Sequence, residues 1–289
     1  MSAASTTVRG LPGLLADAHA RRAGIGAFNV VLLEHAEAIV AGAEEAESPV
    51  ILQISENCIR YHGSLAPILR GSLGIAAAAR VPVLVHLDHI EDPELIAQGI
   101  RLGADSVMYD GSALEYAANV DTTARIAARC HAAGVGVEAE LGRVGGKDGV
   151  HAPGVRTDPD EAAAFVAATG VDALAVAVGS SHAMQQRTAE VDRDLIGRLA
   201  HAVPVPLVLH GSSGLSDEQL RGAIDAGMTK INISTHLNGL FTRAIRAELE
   251  ESPTATDPRR YIARGKSAIR TETARLLRLI TTPSPRITQ

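Results

Sequence analysis

The chain has 289 residues, enough for one large α/β barrel or for two ordinary domains. Hydrophobic residues make up 46% of it and charged residues 21%, which is typical of a globular chain with an ample core. The net charge is −6 and there is no basic run, which argues against a nucleic-acid or anionic-membrane partner, and the 2% aromatic content excludes base-stacking platforms.

The two cysteines, Cys58 and Cys130, provide neither a disulfide framework nor a Cys-x-x-Cys motif. The simplest interpretation is a protein of the reducing cytoplasm. The first residues lack a charged segment followed by an apolar one, so we predict no signal peptide. No apolar run approaches the roughly 20 residues of a membrane span.

A first helix is predicted over Leu11–Arg22, and after it a short apolar strand, a turn and an alanine-rich helix recur along the chain. Eight strands are predicted, at Ile25–Val30, Val50–Ser55, Val83–Leu87, Ser106–Tyr109, Gly136–Glu140, Ala173–Val178, Leu207–His210 and Lys230–Ser234. Helical segments separate these strands, among them His35–Glu47, Pro93–Leu102, Asn119–Ala133, Pro159–Ala168, Asp217–Ala226 and Leu237–Glu250.

Eight consecutive βα units favour a single α/β domain over residues 1–289, a (β/α)8 TIM barrel. The competing fold, a doubly wound open sheet, normally has a glycine-rich turn after its first strand, and Phe28-Asn29-Val30 has none. An extra C-terminal helix is predicted at 258–280, and the tail 281–289 is expected to be flexible. The glycine-rich loop Gly142–Thr157 has the length of a mobile lid.

Ionisable residues follow several predicted strands at the ends where barrel active sites lie. Asp88 and His89 follow strand three, and His182 and His210 follow strands six and seven. Three histidines with an open fourth position are the ligand set of a catalytic zinc site. For each histidine alone a core or surface role is the simpler interpretation, and Asp88 suits a helix cap equally well. The zinc hypothesis therefore depends on the barrel, which would bring all three to one rim.

A second group of polar residues follows strands seven and eight. Gly211 and Ser213 lie in the H-G-S-S-G segment after strand seven, and Asn232, Ser234 and Thr235 end strand eight. This is the usual phosphate site of a barrel, formed from backbone N–H groups and hydroxyls. The alternative is ordinary turn and capping chemistry, which serine and glycine provide in most folds.

The three lysines offer no candidate for Schiff-base chemistry. Lys147 lies in the predicted lid, Lys266 lies in the extra helix, and Lys230 is expected to begin strand eight, at the end opposite the site. Carbonyl chemistry in this chain would therefore require a metal ion.

Six motifs occur together along nearly the whole chain. They are H-L-D-H at His86–His89, S-V-M-Y-D-G-S at Ser106–Ser112, V-E-A-E-L-G at Val137–Gly142, T-G-V-D-A-L-A-V-A-V-G at Thr169–Gly179, P-L-V-L-H-G-S-S-G at Pro206–Gly214 and K-I-N-I-S-T at Lys230–Thr235. In this combination the chain resembles the class II, zinc-dependent ketose-bisphosphate aldolases, which act on fructose or tagatose bisphosphate.

The resemblance implies a role for each site residue. His89, His182 and His210 would be zinc ligands, Glu140 and Asp110 would lie near the metal, and Asp88 would exchange the proton of the hydroxyl at the bond being cut. The phosphate of dihydroxyacetone phosphate would be held by Gly211, Ser213, Asn232, Ser234 and Thr235. The aldehyde half would be held by Asn29, Ser55 and Arg259, the last supplied by a neighbouring subunit or else a solvated arginine.

The implied reaction is the reversible cleavage of a ketose bisphosphate, a step of glycolysis or related carbohydrate metabolism. The ketone would be polarised by Zn²⁺, and an acid on the lid would protonate the enediolate. A homodimer or homotetramer is the expected assembly. Whether a monovalent cation, Na⁺ or K⁺, assists phosphate binding is left open.

Three departures from the family pattern fall at the site. The family lid carries a G-G-E-E type segment, whereas this chain has Gly145-Gly146-Lys147-Asp148, so Asp148 would be the substitute proton donor. Ala183 replaces a glycine, and His236 replaces an acid. Alternatives are therefore an aldolase for another phosphorylated ketose, or a zinc- and sugar-phosphate-binding protein without chemistry. A metal-dependent hydrolase is disfavoured, because no His-x-His ends strand one.

Overall fold

A computed structural model of the protein describes residues 10–141, 156–180 and 190–283. Within these ranges the strands are all parallel and close into a barrel in chain order, β1 to β8, as predicted. Their bounds are Ile25–Asn29 (β1), Val50–Ser55 (β2), Val83–Ile90 (β3), Ser106–Tyr109 (β4), Gly136–Glu140 (β5), Ala173–Ala175 (β6), Leu207–Leu209 (β7) and Met228–Ile233 (β8).

The helices lie between the strands and at both ends of the chain. They are Gly10–Ala20 (α1), Leu33–Glu45 (α2), Glu56–His62 (α3), Leu65–Ala78 (α4), Pro93–Leu102 (α5), Tyr116–Ala132 (α6), Pro159–Thr169 (α7), Arg193–Ala202 (α8), Asp217–Ala226 (α9), Thr235–Glu251 (α10) and Pro258–Thr281 (α11). None of these helices is long and apolar enough to cross a membrane.

Three helices begin with the same dipeptide, Asp-Pro. In α5, α7 and α11 the aspartates Asp92, Asp158 and Asp257 each accept a hydrogen bond from a backbone N–H of the first turn. The proline that follows has no N–H to leave unsatisfied, and its fixed φ suits the first helical position. The starts of these helices are therefore set by local sequence.

The N-terminal end of the barrel interior is apolar and is closed by α1, which packs against β5 and β8. Its residues form one buried group, the basal cluster: Leu11, Leu15, Ala18, Ile25, Ala27, Ile51, Leu84, Met108, Ala173, Ala175 and Val208. The predicted first helix therefore has a structural purpose, because it removes this apolar surface from water.

The extra C-terminal helix α11 lies against α2, α10 and β1, outside the barrel. Gly42 of α2 allows this close approach, because a Cβ there would lie 2.6 Å from the backbone oxygen of Arg270. Ile269, Leu276 and Leu277 of α11 are fully or almost fully buried. The helix that is surplus to the barrel pattern is thus an integral part of the core.

Candidate active site

One cavity opens at the C-terminal ends of the strands, with a volume of about 230 Å³. Nine predicted site residues line it: Asn29, Ser55, Asp88, His89, Gly211, Ser213, Asn232, Ser234 and Thr235. They come from the ends of β1, β2, β3, β7 and β8 and from the segments that follow them. A larger groove between α10 and α11 lies on the outside of the barrel, away from these groups.

Asp88 and His89 both line the cavity although they are neighbours on a strand, where side chains normally alternate between faces. The pairing of β3 with β4 shifts register between Leu87 and Ile90, and His89 has a left-handed φ of 49°. An irregularity of this kind re-aims a side chain and is common next to active sites. It brings a carboxylate and an imidazole to the same rim.

Two overlapping sets of side chains have their nitrogen and oxygen atoms close enough to share a cation. Asp88, His89 and His210 form one set, and His89, Asp110 and Glu140 form the other, with all ligand atoms of a set within 4.8 Å of one another. The rings of His89 and His210 meet edge to face at 4.7 Å. Four of the five residues predicted near the metal are thus together, and the fifth, His182, lies outside the described residues.

The carboxylates around His89 make the site strongly negative. His89 Nδ1 donates to Asp110 Oδ2 at 2.8 Å, and Glu140 Oε2 lies 3.9 Å from the same nitrogen. Burial alone would lower the pKa of His89, but the charge of Asp88, the bond to Asp110 and the charge of Glu140 raise it to about 10. The cluster therefore attracts positive charge, which a proton or a metal ion can provide.

Asp88 is held at the centre of this cluster. It is 3% exposed, and its Oδ2 accepts a hydrogen bond of 2.9 Å from Asn29 Nδ2, while its Oδ1 has no hydrogen-bond partner among the described residues. Burial disfavours the charged form, yet the charges of His89 and Lys230 keep the pKa of Asp88 well below its usual range. The imidazoles and carboxylates that meet around His89 are donors that a zinc ion accepts.

The phosphate residues predicted after β7 and β8 meet in one corner of the cavity. Gly211 has a left-handed φ of 67° and begins a short 3₁₀ turn at Ser212–Gly214. Ser213 Oγ accepts from the backbone N–H groups of Ser234 and His236, both at 3.3 Å, at the start of α10. Backbone N–H groups at a helix start favour an anion.

The residues predicted for the aldehyde half are only partly assembled. Asn29 and Ser55 line the cavity, and Ser55 Oγ also caps α3 by accepting from Cys58 N at 3.2 Å. The side chain of Arg259 is 89% exposed, does not line the cavity and forms an ion pair of 2.7 Å with Asp257. The predicted donor Asp148, with Lys147 and Ala183, lies outside the described residues.

Lys230 is the residue that the sequence prediction misplaced. It does not begin β8, which starts at Met228; it lies two residues before the cavity residue Asn232 and is fully buried. Its Nζ lies 2.8 Å from Glu138 Oε2 on β5, a residue for which the sequence predicts no role. The alternation of Lys230, Asn232 and Ser234 in K-I-N-I-S would have revealed it, because residues two apart on a strand share a face.

Comparison with known proteins agrees with this geometry over the whole barrel. The model of the family described as class II fructose-bisphosphate aldolase matches residues 11–283. A fructose-bisphosphate aldolase of Thermus caldophilus is 38% identical over 284 residues, covering 89% of this chain and 92% of that protein.

Solved structures show the same fold. The YdjI aldolase of Escherichia coli K12 superposes with a TM-score of 0.82 at 31% identity, covering 94% of this chain and 97% of that one. A fructose-bisphosphate aldolase of Campylobacter jejuni has a TM-score of 0.76 over 93% of both chains, but its 22% identity supports the fold alone.

Proposed function

The chain belongs to the class II fructose-bisphosphate aldolase family, which makes it an aldolase and a carbon–carbon lyase, and from this premise we propose its substrate and metal. The substrate is a ketose bisphosphate of the fructose or tagatose 1,6-bisphosphate type, cleaved reversibly to dihydroxyacetone phosphate and an aldehyde. The metal is Zn²⁺. One observation carries the proposal: the cluster of imidazoles and carboxylates around His89 and the corner of hydroxyls and backbone N–H groups around Ser213 share one cavity.

His89 and His210, with His182, would hold the zinc ion, and Asp110 and Glu140 would lie beside it. When bound, zinc supplies Lewis-acid polarisation of the substrate carbonyl. This assignment is supported by the hydrogen bond that His89 Nδ1 donates to Asp110, because a carboxylate that accepts from one ring nitrogen orients the other toward a metal.

Asp88 would act as the base that takes the proton of the substrate hydroxyl in cleavage and returns it in condensation. The low pKa of Asp88 keeps it ionised at neutral pH, as a base must be. Asn29 fixes its carboxylate by donating to Oδ2, so Asp88 Oδ1 is the atom that would face the hydroxyl.

The phosphate of dihydroxyacetone phosphate would lie against Gly211, Ser213, Asn232, Ser234 and Thr235. A monovalent cation, Na⁺ or K⁺, is compatible with so polar a corner. At the other side of the cavity Asn29 and Ser55 would contact the aldehyde half. Arg259 is exposed and does not line the cavity of its own chain, which supports its delivery to the site of a neighbouring subunit, in a homodimer or homotetramer.

Asp148 would protonate the enediolate carbon in place of the glutamate usual in the family. We expect Asp148→Ala to slow this protonation more than it weakens substrate binding. The matched measurements are hydrogen exchange of dihydroxyacetone phosphate with solvent and the KM for cleavage. Normal turnover in this variant would point to Lys147, His151 or water as the donor.

The buried, unpaired thiols of Cys58 and Cys130 support a reducing compartment, the cytoplasm. Burial raises the pKa of both thiols to about 11, so they are protonated at neutral pH and are poor nucleophiles.

The decisive assay is cleavage of fructose and tagatose 1,6-bisphosphate by the protein as purified, after chelation and after zinc is restored. Cleavage that is lost on chelation and returns with zinc is the expected result. Cleavage that survives complete zinc removal would contradict the metal assignment. If neither sugar is cleaved by zinc-loaded protein, the substrate proposal is wrong and other phosphorylated ketoses must be tested.

A further inference from the structure

A layer of polar side chains lies inside the barrel, between the basal cluster and the cavity. On β2 and β3 the sequence order shows the position: Ile51 and Leu84 belong to the basal cluster, residues four further on line the cavity, and Gln53 and His86 lie between them. His86 bonds Ser106 of β4 and lies 3.8 Å from Glu138 of β5, which in turn pairs with Lys230 of β8. All of these side chains are fully buried: Gln53, His86, Ser106, Glu138 and Lys230. We call them the polar layer.

The polar layer contains an ion pair that stability alone does not explain. Lys230 Nζ and Glu138 Oε2 are 2.8 Å apart, and both side chains are 0% exposed. Removing two charges from water costs several kcal/mol per ion, roughly what their attraction returns, so apolar residues of the same size are often as stable. A role other than stabilising the fold would explain why this ion pair is buried here.

The other carboxylate oxygen of Glu138 contacts a histidine at the proposed metal site. Glu138 Oε1 lies 3.1 Å from Nε2 of His210, which is 1% exposed. A carboxylate only accepts hydrogen bonds, so Nε2 must carry the hydrogen. The lone pair of the neutral ring is then on Nδ1, the nitrogen that faces Glu140 Oε2 at 3.8 Å and the cation-attracting cluster.

Lys230 compensates the buried charge of the Glu138 carboxylate on the side away from His210. Its Nζ lies 2.8 Å from Oε2, while Oε1 faces His210 Nε2. The chain Lys230–Glu138–His210 thus crosses the barrel interior from β8 through β5 to the end of β7. Partners that bond the second nitrogen of a metal-bound histidine fix its tautomer and ring orientation and increase its basicity.

We propose that Glu138, held by Lys230, is a positioning residue for zinc binding: it locks His210 with Nδ1 directed at the metal. The inference rests on the proposed function, since it takes His210 to be a zinc ligand. It also assigns a purpose to Lys230 that is neither Schiff-base chemistry nor substrate binding.

The test uses two double variants, because removing one partner alone would leave the other charge buried and unpaired. Glu138→Leu with Lys230→Met removes both charges and the acceptor for His210 Nε2. Glu138→Gln with Lys230→Met removes both charges but keeps an amide oxygen that can accept the same hydrogen bond. Ser106→Ala is the matched control, since Ser106 lies in the same layer but bonds His86 Nδ1 at 2.8 Å and not the Glu138–His210 pair.

The readout is the zinc dissociation constant, measured by chelator competition, with the thermal midpoint of the zinc-free proteins as a check on folding. We expect the leucine double variant to bind zinc about 10- to 100-fold more weakly, the usual loss when such a partner is removed. The glutamine double variant should recover part of that loss, and Ser106→Ala should bind as wild type does. When cobalt replaces zinc, the absorption spectrum should differ most from wild type in the leucine double variant, less in the glutamine double variant and not at all in Ser106→Ala.

Equal zinc affinity in wild type and the leucine double variant would overturn the positioning role while leaving the proposed function intact. The role would also fail if the glutamine variant bound no better than the leucine variant. Failure of the wild-type protein to bind zinc at all would overturn both proposals, so the wild-type titration separates the two cases.

Discussion

The two ends of the barrel interior are built from the same strands and differ in almost every chemical respect. At the N-terminal end Leu15 of α1 packs with Ile51 and Leu84 in the apolar basal cluster. Four residues further along β2 and β3, Ser55 and Asp88 line a cavity. Stability and chemistry are therefore separated by about 13 Å of strand, since each residue advances roughly 3.3 Å. Substitutions at the two ends should have separable consequences.

The largest expected effect is at the cavity end. Asp88→Ala should reduce kcat for cleavage about 10³-fold, because a positioned acid or base contributes roughly 10²–10⁴. Zinc content, measured by elemental analysis, should stay at the wild-type level, since Asp88 is proposed as a base and not as a ligand. Loss of zinc would show that Asp88, which lies within reach of the metal, is a ligand after all.

At the opposite end of the barrel, Leu15→Ala should lower stability and leave catalysis almost unchanged. Leu15 is fully buried in the basal cluster, so its truncation should lower the free energy of unfolding by about 2–5 kcal/mol. Below the unfolding transition kcat/KM should stay within about twofold of wild type, since α1 does not reach the cavity. Asp17→Ala, at an exposed position of the same helix, is the control and should change stability by at most about 0.5 kcal/mol. A large loss of kcat/KM in folded Leu15→Ala protein would contradict the claim that stability and chemistry depend on different ends of the barrel.

A smaller effect is expected at the proposed phosphate site around Ser213. Ser213→Ala should raise the KM for the phosphorylated substrate about 10-fold, because a hydrogen bond to a charged group contributes roughly 1.5–3 kcal/mol, part of which water replaces. The inhibition constant of inorganic phosphate should rise in parallel while kcat changes little. An unchanged inhibition constant would remove Ser213 from the phosphate site.

The smallest effect concerns an ion-pair network outside the barrel. Burial alone would raise the pKa of Glu272, but hydrogen bonds from Arg275 and His236 lower it from 4.5 to about 2. Since the folded pKa is the lower one, this stabilisation is present above about pH 4.5 and is lost as the pH falls toward 2. Glu272→Gln should therefore cost about 1 kcal/mol at pH 7, and the difference from wild type should shrink through that window in urea unfolding. A difference independent of pH would exclude the ionised carboxylate as its cause.

The fold could be predicted because its signals are local. Each β-branched segment followed by an alanine-rich segment predicts a strand and a helix without reference to the rest of the chain. The Asp-Pro dipeptides at Asp92, Asp158 and Asp257 mark three helix starts. The strand-end residues Asp88, His89 and His210 could be predicted once the strands were located, because the topology of a barrel brings all strand ends to one rim.

The features that could not be predicted depend on the direction in which a side chain points, and the sequence alone does not give this direction. Lys230 appeared to begin a strand, because the apolar residues near it mask the alternation that points it inward. The direction of the His89 side chain depends on the register shift in the pairing of β3 with β4, which is a tertiary property. The bond from Asn29 to Asp88 joins residues 59 apart in sequence, so only the closed barrel reveals it.

The most direct measurement is hydrogen exchange between dihydroxyacetone phosphate and deuterated solvent, followed by proton NMR with zinc-loaded and with chelated protein. If the cavity binds this triose phosphate and a zinc ion for lyase chemistry, zinc-loaded protein will exchange one carbon-bound hydrogen stereospecifically and chelated protein will not. Zinc-loaded protein that binds dihydroxyacetone phosphate without any exchange would contradict that account, and would leave a binding site without chemistry.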